Sequence, residues 1–322
     1  MTTVPDILTV DVEEWFHGHN YLGQVPPAWW AAQQSRVEGN TDRVLELLDR
    51  QRVRATFFVL GWTAVRHPDL VRRIAAAGHE IGCHSFAHPV VSELSEQEFL
   101  ADLDQAIAAL AACGVRPRGY RAPSFTMTPP VHRYLELLRS RGFAYDCSLF
   151  PIRHPRYGQP GSPRYPFILE PPAAAEAPAA SAAATTGDFV VVPMPTWRLG
   201  GVNLPFSGGG YMRLLPRWAY RAVRAAARRQ GQPCVIYLHP WELDCYRPAT
   251  RQNALLRWRS QAGQGTMPAK LADLLQRGAF RTLGAYVADL LADGNLPRRS
   301  LPLAAPGSDR AAANTRRQSG AD

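Results

Sequence analysis

Lysine is almost missing from this chain. Lys270 stands alone against 35 arginines in 322 residues. Exchange on that scale points to a GC-rich coding bias rather than to a surface selected for nucleic acid. The formal net charge is +9, and five arginines against two aspartates place +3 of it in residues 295–322. No basic stripe interleaved with aromatics is present, so no nucleic-acid partner is expected. The charge fits a basic enzyme that handles anionic glycans or works near a membrane surface. Cysteine is also scarce: residues 83, 113, 147, 234 and 245 are odd in number, scattered and without a CxxC pair. That argues for reduced thiols and against a disulfide framework or a thiolate zinc site. No apolar run approaches 18 residues, and "MTTVPDILTVDVEEW" lacks a basic region followed by a long apolar one. The expectation is a cytoplasmic protein with no transmembrane segment. There is no GxSxG nucleophile motif, no GK[ST] after the glycines at 208–210, and no internal repeat.

The composition is that of a globular protein, 46% hydrophobic and 20% charged. "DILTVDV" (6–12) reads as a buried strand, and 40–53 as a helix capped by Asn40 or Thr41. Strand-like 54–61 closes on Gly61. A helix over 67–78 has Pro68 near its start and Gly78 at its end. Strand 79–85 follows, then a helix over 95–114 with the capping-box pair Ser95 and Glu98. A strand and loop (118–125), a helix (129–142) and a strand and loop (143–151) complete the regular part. Strand and helix alternate about every 25–35 residues, the rhythm of βα units with a parallel sheet or barrel. Asp11, His84, Arg121 and Asp146 all fall at strand ends, where parallel α/β folds build their sites.

After residue 151 the rhythm breaks. An Ala/Pro-rich stretch (170–188) reads as a flexible surface insertion within one domain spanning 1–294. An apolar strand and aromatic loop (189–201), a glycine-rich segment (205–216), a basic helix (216–231) and a last strand ending in His239 (233–244) follow. Helical patterns recur at 268–277 and 283–292, and residues 295–322 read as a disordered tail.

Asp11 and Glu13 are two apart on a strand, so both side chains point to one side. Carboxylates placed together need a positive partner, and a divalent cation would supply it. "HSFAH" sets His84 and His88 four apart on a loop between Gly82 and Pro89. Two imidazoles and one carboxylate make a three-ligand site with room for water, suited to zinc and other first-row metals. Cys83 precedes His84 in a strand and points the other way.

With "TVDVEEW", "HSFAHP", "RAPSF", "YDCSLFP" and "YLHPWE" in order, the chain resembles the polysaccharide deacetylase family, the NodB-homology carbohydrate esterases, over about residues 5–290. "DVEEWF", "RAPSFT", "HPWE" and "GGGY" together are similar to the subgroup associated with exopolysaccharide loci of bacteria carrying the PEP-CTERM/exosortase system. The resemblance implies an α/β fold, a distorted (β/α) barrel with a C-terminal helical extension. It implies metal-dependent removal of N-acetyl groups from an amino-sugar polysaccharide or its precursor, in exopolysaccharide biosynthesis. The metal it implies is zinc, with cobalt, nickel or manganese as alternatives.

Carried over residue by residue, Asp11 matches the general base, and His84 and His88 the metal histidines. The family's Asp-Asp is broken here by Val12; Glu13 fits the Asp-x-Asp spacing of some relatives, with Glu14 as fallback. Arg121 matches the arginine that holds the base. The Ser124 N–H matches the oxyanion donor, Asp146 the carboxylate that positions the acid histidine, and His239 the general acid. Leu238 would line the acetyl pocket. Trp197 and Tyr211 are the residues to stack on sugar rings. The rival readings are a small-molecule amidohydrolase of the allantoinase-like branch and a non-catalytic glycan-binding protein on the same fold.

Overall fold

The computed structural model describes residues 4–18, 21, 24–154, 157–171, 187–246, 258 and 261–302. Strand β1 (Asp6–Val12) is central, paired in parallel with β2 (Thr56–Val59) on one side and β10 (Cys234–Leu238) on the other. From β2 the parallel order continues through β3 (Glu80–Cys83), β4 (Gly119–Tyr120), β5 (Tyr145–Asp146) and β7 (Val190–Val191). Strand β6 (Phe167–Leu169) then pairs antiparallel with β7. Helices α1 (Val37–Arg50), α2 (Gly61–Arg66), α3 (Pro68–Ala76), α4 (Glu96–Ala112) and α5 (Tyr134–Ser140) alternate with these strands, as the βα rhythm requires. Among the described residues the sheet ends do not pair; the α/β fold is a mostly parallel sheet with helices, consistent with the expected distorted barrel, and no closed barrel forms.

The sheet is nevertheless curled. β1 and β4 are three strand spacings apart, about 14 Å in a flat sheet. Yet Arg121 at the end of β4 reaches Asp11 on β1 at 2.7 Å. Period-two alternation then sorts the side chains. Leu8, Val10, Val12, Ile236 and Leu238 join the layer facing the helices. Ile7 and Val235 turn to the concave side with Phe58, Tyr145 and Tyr237.

Tertiary contacts moved several local boundaries. α1 begins at Val37, so Asn40 and Thr41 lie inside it, buried. The reason is Glu14, whose Oε1 accepts the backbone N–H groups of Arg36 and Val37 and so satisfies the helix N-terminus from a distance. Gly61 starts α2 instead of closing a strand. The aromatic loop expected near 197 is a hairpin, β8 (Thr196–Leu199) against β9 (Val202–Pro205). Its two-residue turn uses Gly200 and Gly201, both at positive φ.

Helix α6 (Gly209–Leu214) and α7 (Arg217–Arg229) follow the hairpin. Helices Met267–Arg277 and Leu283–Asp293 flank β11 (Phe280–Arg281), which pairs with the start of β1. The tail expected from residue 295 does not begin there: Arg298–Arg299 forms β12, parallel to β6, and Leu301 is buried. Backbone pairing there needs no periodic side-chain pattern. Residues 172–186 of the expected insertion and 303–322 of the expected tail lie outside the described residues. No described helix is long and apolar enough to cross a membrane.

Candidate active site and metal centre

The end of β1 projects Asp11 and Glu13 to the same concave side, both buried. Glu14 faces away and is consumed in capping α1, which leaves Glu13 as the carboxylate for the histidines. Those come from the loop after β3. Ser85 and His88 sit at φ 64° and 52°, a left-handed pair that folds the loop back on itself. The loop is gripped from outside. Its Ser85 and Phe86 carbonyls accept the N–H groups of Gly61 and Trp62. Its Phe86 and Ala87 N–H groups donate to the Asp102 carboxylate on α4 at 2.8 and 3.1 Å. A side chain at Gly61 would strike Phe86.

Glu13, His84 and His88 thus meet, with ligand atoms within 4.8 Å of one another and all three residues buried. Glu13 Oε2 lies 3.0 Å from His88 Nε2 and 3.9 Å from His84 Nε2, yet lacks hydrogen-bond geometry to any group. His84 Nδ1 is 2.8 Å from the Arg121 carbonyl. A carbonyl only accepts, so Nδ1 carries the proton and Nε2 presents its lone pair to the cluster. Burial pushes the His84 pKa down to about 4, which favours the neutral ring. Burial works against ionised Glu13, but the neighbouring His88, His239 and His84 outweigh it and hold the carboxyl well below its usual range. One carboxylate oxygen and two imidazole nitrogens, converging on an unsatisfied atom, fit a divalent first-row metal with open positions.

Asp11 is gripped by Arg121, which is fully buried. Its Nη1 donates to Asp11 Oδ1 at 2.7 Å and to Thr9 Oγ1 at 2.8 Å, its Nε to the Cys147 carbonyl at 3.3 Å, and its plane covers Phe58. Burial disfavours the cation, but Asp11 and Cys147 reverse that and keep it charged. The next residues, "APSF", turn sharply, with Ser124 at φ 50° and Phe125 at φ 56°. Among the described residues the Ser124 N–H has no backbone acceptor, which leaves it available to a developing oxyanion. His239, at the end of β10, brings Nε2 to 3.6 Å from Glu13 Oε1.

Four expected residues stand elsewhere. Asp146 was to position the acid histidine; instead it takes the N–H and hydroxyl of Ser148 at 2.9 and 2.6 Å. Ser148 Oγ accepts the Ala122 N–H at 2.7 Å, so Asp146 holds the "RAPSF" loop. Burial raises its pKa to about 7. Leu238 faces the helices, not a pocket, because alternation turns Tyr237 to the concave side instead. Trp197 lies on the hairpin, whose next residue Arg198 is tied to Gln230 at the end of α7. That end of α7 meets Asp6, the first residue of β1, through Arg228. Asp11 is five residues away, about 17 Å along the strand. Tyr211 is exposed in the first turn of α6.

Sequence reasoning passed over Glu242, Arg213, Asp102 and His17. Glu242 Oε2 is 3.4 Å from His239 Nδ1, and its Oε1 accepts Arg213 Nε at 2.9 Å. The one signal for it was its place three residues after His239 in "HPWE". His17 is buried, with Nδ1 accepting the Glu14 N–H at 3.1 Å and its ring edge-on to Trp30 and Trp62. Burial lowers its pKa to about 3.

Residues 30–143 match the family described as polysaccharide deacetylase, and residues 147–288 match a domain of unknown function, DUF3473. The chain is 38% identical over 96 residues to a peptidoglycan-N-acetylglucosamine deacetylase of Bacillus cereus, covering 30% of this chain and 33% of that one. It is 40% identical over 91 residues to chitin deacetylase 1 of Saccharomyces cerevisiae, covering 28% and 30%. The chain spans about a third of the length of these relatives. Its fold superposes on a Mycobacterium smegmatis protein assigned to the polysaccharide deacetylases, with TM-score 0.61, 23% identity and 94% of each chain covered.

Proposed function

We propose, from the match of residues 30–143 to the family described as polysaccharide deacetylase, that this chain hydrolyses the N-acetyl group of an amino-sugar glycan with a divalent metal. The observation that carries the reading is the buried cluster of Glu13, His84 and His88, flanked by the Asp11–Arg121 pair and by His239. Glu13, His84 and His88 would hold the metal; when bound, it polarises the acetamide carbonyl and acidifies water. Asp11, oriented by Arg121, takes the proton from the attacking water. The Ser124 N–H donates to the oxygen that gains charge. His239 gives its proton to the amine nitrogen as the C–N bond breaks, releasing acetate and a free amino sugar. No serine nucleophile is needed.

The motif set "DVEEWF", "RAPSFT", "HPWE" and "GGGY" supports an exopolysaccharide or its precursor as the glycan, and the donor set supports zinc. The test is metal content and acetate release on N-acetylglucosamine oligomers, for wild type, Glu13→Ala and Asp11→Asn. The expected result is about one metal per chain and acetate from wild type, no metal in Glu13→Ala, and metal without turnover in Asp11→Asn. A wild type that stays metal-free after reconstitution would sink the reading.

A further inference from the structure

The glycines of "SGGGYMR" and the last residue of "HPWE" have no part in the chemistry above, yet the fold presses them together. Glu242 is buried, and both its oxygens are committed. Oε2 accepts the backbone N–H of His239 at 3.0 Å and stands 3.4 Å from its Nδ1. Oε1 accepts Arg213 Nε at 2.9 Å. Arg213 is buried on α6 and also donates to the Ala262 carbonyl at 2.8 Å. Lys270, the single lysine, ties down that helix end by donating to the carbonyls of Met212, Arg213 and Leu215. Gly209 is what lets the carboxylate sit there. A Cβ at that position would fall 2.0 Å from Glu242 Oε2 and 2.6 Å from its Cδ. Trp241 stacks on the His239 ring, centroids 5.0 Å apart and planes 16° from parallel, which fixes the remaining face.

We propose that Glu242 is the positioning residue of His239, supported by Arg213 and admitted by Gly209. The carboxylate accepts a hydrogen bond from the Nδ1–H, so a proton on Nε2 is the one directed towards the cluster and free to transfer. The role expected of Asp146 is filled from within the same turn as the histidine. This rests on the proposed reading in which His239 protonates the leaving amine. Burial works against an ionised Glu242, but the His239 hydrogen bond and the Arg213 charge outweigh it, and its pKa is lowered.

The competing account is that Glu242 only caps the turn at 240–243 by accepting the His239 N–H. Leaving-group dependence separates the two. An amine must be protonated to depart; an aryl oxide leaves without help. Glu242→Gln can offer an amide N–H to Nδ1 and hold the wrong tautomer. On N-acetylglucosamine oligomers it should lose kcat by about 10²–10³-fold with KM within about 2-fold, whereas on 4-nitrophenyl acetate the loss should stay under about 5-fold. Metal content should match wild type. Gly209→Ala should reproduce that selectivity, and the double variant should be no worse than the poorer single one, because both changes break one contact.

Equal losses on both substrates, loss of metal, or additive effects in the double variant would each overturn the proposal in favour of the capping role. A second readout holds if wild type deacetylates nothing. The ¹⁵N shifts of His239, assigned by difference from His239→Gln, should show Nδ1 protonated in wild type and not in Glu242→Gln. An unchanged tautomer refutes the positioning role, whatever the outcome for the deacetylase reading.

Discussion

Each half of the chain supplies the site with one buried arginine–carboxylate pair, and the two are built differently. In the first half Arg121 reaches Asp11 at 2.7 Å across a curled parallel sheet, between residues 110 apart. In the second half Arg213 reaches Glu242 at 2.9 Å between residues 29 apart, from a short helix to a short turn. The first pair depends on strand register, which the βα repeat enforces. The second depends on a glycine, a single lysine and two short elements. Asp11 is therefore held by strand register across the sheet, and His239 with Glu242 by local packing within the residues that match DUF3473.

Removing chemistry from the first pair should have the largest effect. Asp11→Asn should lower kcat for acetate release by about 10²–10⁴-fold while metal content is unchanged; a loss below tenfold would take the base role from Asp11. Arg121→Met leaves a buried carboxylate alone, and should cost about 3–5 kcal/mol in urea unfolding. Arg213→Met sharpens the comparison, since it strands Glu242 in the same way. If it costs nothing, the second pair is not the counterpart of the first.

Asp146 offers a pH test. Its pKa is raised by burial to about 7, so the folded state holds the proton more tightly than the unfolded chain. Its contribution is then fully present below about pH 4 and lost as pH rises through 7, at up to about 1.4 kcal/mol per pH unit. Asp146→Asn does not titrate. Its stability relative to wild type should rise between pH 5 and 8; a constant difference would contradict the assignment. The smallest effect belongs to Trp197→Ala. With its hairpin tied to the far end of β1, kcat/KM should change by no more than about 2-fold, and a tenfold loss would place the hairpin in the substrate path.

Much of the first half was legible because its signals are periodic. Alternation put Asp11 and Glu13 on one side of β1, and the helix and strand punctuation located the loops carrying His84, His88 and Arg121. Asp102 was not legible, because its two bonds reach backbone N–H groups that no side-chain pattern reports. Glu14 was misread as a spare ligand for the same reason: its partners are the backbone of α1. Leu238 failed on a strand-parity error that the same alternation rule exposes once the register with Val10 is known. Asp146 failed because an acidic residue at a strand end says nothing about which of two loops it will hold.

The order of motifs, the βα rhythm and the donor types are properties of the chain itself, and they determined the fold class and the chemistry to expect. Which carboxylate meets which histidine was decided by tertiary structure alone. A metal cluster or a proton relay needs side-chain atoms within about 3 Å of one another. Residues from β1, β3, β4 and β10 reach that range only after the sheet curls, and Glu242 only where Gly209 leaves room for it.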